Sequence, residues 1–70
     1  MLDTNRQYFA QGFRYRLDVS TRSGGTCEPQ LAINRADALR RKAEIEQNGT
    51  RLVRGFKLRE NGKQTPVKLY

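Results

Sequence analysis

From Phe13 the chain alternates. Phe13, Tyr15, Leu17 and Val19 fall on one side, with Arg14, Arg16, Asp18 and Ser20 on the other, the period of two expected of a half-buried strand. Ser23-Gly24-Gly25 follows, and a three-residue hairpin loop wants a left-handed residue at its end, which Gly25 supplies in this reading. That loop sets Thr21 opposite Cys27, Val19 opposite Pro29, Leu17 opposite Leu31 and Tyr15 opposite Ile33. The apolar residues of both strands then share one face, and a one-residue slip would turn Leu31 and Ile33 outward.

Asn34-Arg35-Ala36-Asp37 reads as a helix start, with Asn34 as cap and Asp37 adding negative charge to the first turn. The helix runs to about Gln47 and ends at Asn48-Gly49. Ala36, Leu39 and Ala43 form its inward stripe, with Ala38 and Ile45 on the flank. Thr50–Arg59 is a third strand, and Asn61-Gly62 a two-residue hairpin that pairs Leu58 with Thr65 and Phe56 with Val67 and sets Leu69 opposite Arg54. Arg54 interrupts the inward pattern, through snorkelling at the sheet end or a bulge at Gly55. Residues 1–12 are a polar N-terminal segment in which Asp3 or Thr4 can cap a short helix ending at Gly12.

The prolines set the strand order. Pro29 and Pro66 lack an N–H and fit only on strands with no neighbour beyond them. Strands two and four are therefore edges. The prediction is an α+β, two-layer ββαββ domain over residues 13–70, with a four-stranded antiparallel sheet in order 2-1-3-4 and one helix on one face. The other face is expected to stand open.

Charge then gives that open face a meaning. Fourteen Lys+Arg oppose seven Asp+Glu for a net charge of +7. Most of the cations are arginine, whose planar fork suits phosphate and carboxylate. The alternation places Arg14, Arg16, Lys57, Arg59 and Lys68 on the open face, with Asp18 and Glu28 as its acids. Like charges facing across strands destabilise a sheet, so the pattern points to an anionic ligand. Arg40 and Arg41 make a second basic group on the helix, both directed to solvent and laced by Asp37, Glu44 and Glu46. Phe13, Tyr15 and Phe56 face inward and only Tyr70 outward, which favours phosphate contact with duplex DNA or structured RNA over base stacking.

Other chemistries find little footing. There is no histidine, and lone Cys27 has no partner for a triad, a zinc site or an internal disulfide. No phosphate-loop or dinucleotide fingerprint occurs. The expectation is a binding module, not an enzyme, with no cofactor, metal or small-molecule substrate. A single thiol, no apolar run of the roughly 20 residues a membrane span needs and no signal-peptide layout predict a cytoplasmic protein without a membrane partner.

Two functions fit: a nucleic-acid-binding module working through the open face, or an inhibitor or adaptor that docks on an acidic surface of a nucleic-acid-handling complex. In layout, residues 13–70 resemble small phage-encoded proteins that bind host machinery, among them inhibitors of host RNA polymerase and some anti-CRISPR proteins. They also resemble the arm-binding domains of integrases, whose sheet reads DNA. The resemblance is one of layout without shared motifs, so it implies a class of partner and no functional residue.

Overall fold

The chain forms α1 (Leu2–Ala10), β1 (Tyr15–Ser20), β2 (Gln30–Ala32), α2 (Arg35–Gln47), β3 (Arg51–Leu58) and β4 (Gln64–Val67) in this computed structural model, which describes residues 2–69. The strands make one antiparallel sheet ordered β2-β1-β3-β4. This is the α+β arrangement and strand order that the prolines predict. Tyr70, expected to lie outward, is outside the described residues.

Both helices end in the same hydrogen-bond pattern. For α1, Phe13 N donates to Tyr8 O and Gly12 N to Phe9 O. For α2, Thr50 N donates to Ile45 O and Gly49 N to Glu46 O, so each last turn closes in a Schellman motif. Asn34 caps α2 as predicted, its side chain accepting from Asp37 N at 2.8 Å.

Both hairpin registers differ from the expected ones by a single residue, and the turns explain why. A two-residue type I′ turn needs positive φ at Asn61 as well as Gly62, but no residue other than glycine has positive φ among those described. Instead Gly62 N donates to Arg59 O and Arg59 N to Lys63 O. The loop is thus three residues, a type I turn closed by left-handed Gly62 (φ +88°). Phe56 now faces Pro66, Leu58 faces Gln64, and Val67 faces Gly55. At the first hairpin Gly24 (φ +91°), not Gly25, takes the left-handed position, with Thr21 N bonded to Gly25 O. Ser20 pairs with Thr26, and a further slip sets Leu17 opposite Gln30 and Arg16 opposite Leu31.

These slips change the core. Ala32, fully buried, enters it in place of Ile33, which is 55% exposed. With Leu17, Val19, Leu69 and the α2 residues Ala38 and Ile45 it forms the cluster between sheet and α2. The inward stripe of α2 is therefore Ala38, Arg41, Lys42 and Ile45, while the expected Ala36, Leu39 and Ala43 are exposed. The spacing is still helical; basic stems supply part of the apolar cover. The rotation is held by Asp37, which accepts from Ile33 N at 3.1 Å.

The second sheet face is not open along its whole length. Phe56 and Leu58 share it with Arg16, since Arg16 pairs with Phe56 while neighbouring Leu17 is in the α2 cluster. At the β3–β4 hairpin end α1 lies against this face. Its anchor is Asn5, 1% exposed. The Asn5 amide donates to Gly62 O at 3.0 Å and Gln64 Oε1 at 3.1 Å, and its Oδ1 accepts from Arg16 Nη1 at 3.3 Å. A polar side chain so buried is tolerated because its hydrogen-bonding groups are met.

Candidate nucleic-acid interface

The seven basic residues singled out from the sequence fall into four settings. Arg14 and Arg16 belong to the fold. Arg14 Nη1 donates to Phe9 O at 2.9 Å and Phe13 O at 3.1 Å, and its guanidinium lies 3.8 Å from the centre of the Phe9 ring. Arg16 is paired with Asp18 at 3.2 Å, and only 16% of its side chain is exposed. Both were expected on an open face; α1 covers that end of the sheet and uses them as anchors.

Arg40 and Arg41 are laced by acids, as the sequence predicts. Arg40 meets Asp37 at 2.6 Å and Glu44 at 3.5 Å. Arg41 meets Asp37 at 3.4 Å, but instead of pointing to solvent it leans on β2 and donates to Gln30 Oε1. The Arg40 guanidinium, and after it the Ile33 N–H, hold the Asp37 carboxyl below the ordinary carboxylate range. The same pair pushes Arg40 upward. This is a neutralised surface, poorly suited to attract phosphate.

Lys57 and Arg59 are exposed and lie together, but on the α2 side of the sheet. Lys57 pairs with Tyr15 and Thr65, and Arg59 Nε reaches Thr65 Oγ1 at 3.4 Å. Lys63, opposite Arg59 across the hairpin, joins them. A hollow of about 590 Å³ between Arg59, Asn61, Lys63 and Thr65 marks this end. Lys68 is exposed beyond β4, and its carbonyl accepts from Arg35 Nη2 at 3.3 Å.

Arg51, Arg54 and Arg22 escaped the sequence reading. A β-bulge falls between the Asp18–Arg54 and Val19–Leu52 pairs, with Val53 as the extra residue. It reverses the side-chain alternation, so Arg51 and Arg54 share the face of Asp18 and Ser20 while Leu52 packs against the α2 cluster. The clue in the sequence was Arg54 itself, out of phase with its strand; the bulge lies two residues before the Gly55 position considered. Arg51 Nε donates to Ser20 Oγ at 3.3 Å, and Arg22 follows in the adjoining loop. An open groove of about 330 Å³ runs beside them, lined by Asp18, Ser20, Thr26, Pro29 and Val53.

Among the described residues, Arg22, Arg51, Arg54, Lys57, Arg59 and Lys63 make no ion pair with a carboxylate, and all six are exposed. Three of them, Arg51, Arg54 and Lys57, stand on β3, a central strand, and Arg59 follows directly after it. Also among the described residues, no group of three His, Cys, Asp or Glu side chains could hold a metal ion, and no helix is long and apolar enough to cross a membrane. Cys27 is half-buried against the core. No protein-family model, curated protein or solved structure matches the chain, so the functional reading rests on this arrangement of charge.

Proposed function

We propose that this chain is a nucleic-acid-binding module that holds DNA or structured RNA mainly through its phosphates and works in a reducing, cytoplasmic setting. The observation that carries the reading is the row of exposed cations along β3 and just past its end, namely Arg51, Arg54, Lys57 and Arg59, none of which makes an ion pair with a carboxylate among the described residues. Arg59 and Lys63 set like charges opposite each other across the hairpin, a cost that an anionic ligand relieves. The net charge of +7 adds long-range attraction for a polyanion. Among the described residues, aromatic side chains offer no platform beside these cations: Phe56 is buried, and Tyr8, Phe9, Phe13 and Tyr15 are half-buried. Backbone contact therefore outweighs stacking.

The test is fluorescence anisotropy with labelled duplex DNA, single-stranded DNA and structured RNA across a salt series. About three to five phosphate contacts give a log–log slope of roughly −3 to −5. Saturable binding that persists near about 150 mM salt, where the screening length is roughly 8 Å, supports the module. Binding that vanishes there is the generic behaviour of a basic protein. It would move the assignment to an acidic surface on a protein partner, to be sought by pull-down.

A further inference from the structure

These six exposed cations do not form one surface. Arg51 and Arg54, with Arg22, lie on the α1 side of the sheet, beyond the end that α1 covers. Lys57 and Arg59, with Lys63, lie on the α2 side at the hairpin end. Arg51 and Arg59 are eight residues apart, roughly 25 Å at about 3.3 Å per residue, in a molecule 33 Å long. A straight duplex is a convex rod, and one that rests on a sheet face cannot wrap to the opposite face.

Building on the nucleic-acid reading above, we infer that the chain holds two duplex segments at once, one on each face, and so bridges them. Each patch supplies about three phosphate contacts and is weak alone, with a salt slope near −2.7. Joined in one rigid domain, the two patches raise the effective concentration of the second segment once the first is bound. The patches differ in their acid neighbours. Asp18, beside Arg54, is engaged by Arg16, whereas Glu60 stands exposed in the hairpin next to Lys63. The Arg51 patch is therefore the stronger anchor.

The experiment mixes donor- and acceptor-labelled duplexes of about 20 base pairs, long enough for several phosphate contacts, and measures energy transfer with added protein, DNA and RNA duplexes being run separately. The wild-type chain should give transfer. R22Q/R51Q/R54Q and K57Q/R59Q/K63Q should each still bind one duplex in anisotropy while losing at least about tenfold of the transfer, the scale of a lost second site. Q7E/Q11E/Q47E lowers the net charge of +7 by the same three at exposed positions and should keep bridging. Circular dichroism checks each fold; should a triple variant unfold, R54Q and K57Q alone should each reduce transfer several-fold. Transfer that survives in either patch variant, or wild-type binding of one duplex per chain without transfer, overturns bridging and leaves the nucleic-acid assignment standing. Absence of duplex binding near physiological salt removes both.

Discussion

Replacing Asn5 by alanine tests whether α1 is a structural layer of the domain. The side chain makes three hydrogen bonds, to Gly62 O, Gln64 Oε1 and Arg16 Nη1, while 1% exposed. Each is worth about 1 kcal/mol net, and a buried acceptor left without a partner costs about 1–3 kcal/mol more. The buried carbonyl of Gly62 would be such a group. Against this, alanine favours the helix by about 0.6 kcal/mol. The expected loss is about 3–5 kcal/mol, a fall in melting temperature of roughly 12–40 °C at about 4–8 °C per kcal/mol for a domain of this size. Urea denaturation should show a lower midpoint with an unchanged slope. A double-mutant cycle with Gln64→Ala should give a coupling of at least about 0.5 kcal/mol. A loss below about 0.5 kcal/mol, typical of exposed substitutions, together with strict additivity, would refute the packing of α1 on the second face.

Asn34→Ala removes the cap on α2 and should cost about 1 kcal/mol in the same denaturation assay. Gly62→Ala forces a side chain into the left-handed position that closes the β3–β4 loop, and should cost about 1–2 kcal/mol. Asn61→Ala, at a position without positive φ, should cost less. Asp37 has a lowered folded-state pKa, so the unfolded chain binds more protons at acid pH and stability rises with pH. Its contribution is fully present above the unfolded value near 4 and is lost as pH falls through the folded one; Asp37→Asn should flatten the urea midpoint over that window.

What was legible in the sequence is what local chemistry determines. Asn34 with Asp37, the stops at Gly12 and Asn48-Gly49, and the two edge prolines each carry their structural reason in one or two residues. Strand order followed because a missing N–H excludes a neighbour on one side. In the structure Pro66 lies three residues past Lys63 of the closing Arg59–Lys63 pair, an odd step that puts it out of phase with the bonded pairs, with that gap on the outer edge. Register was not legible, because Gly24 and Gly25 are equally able to take a left-handed turn and Asn61-Gly62 fits two loops of different length. Nor was the role of α1. A helix anchored by buried asparagine has no apolar stripe to announce which surface it covers, so Arg14 and Arg16 looked like ligand contacts when they are its fastenings.

The bulge at Val53 links these errors to the candidate site. Without it, Arg51 would fall on the α2 side and Leu52 on the α1 side, and β3 could not both feed Leu52 to the α2 cluster and send Phe56 and Leu58 to the opposite face. One extra residue satisfies both helices, because it lets a single strand serve two layers with its apolar side chains in different phases. The same reversal brings Arg51 level with Arg54 at one end and leaves Lys57 with Arg59 at the other. Neither helix is long enough to cover the sheet from end to end: α1 stops short of Arg54, and α2 leaves Lys57 bare. The uncovered ends are diagonal across the sheet, and both are cationic. The geometry that stabilises so small a core therefore also separates its free charge into two patches, and it is this separation, more than the total charge, that a one-faced binding module would not need.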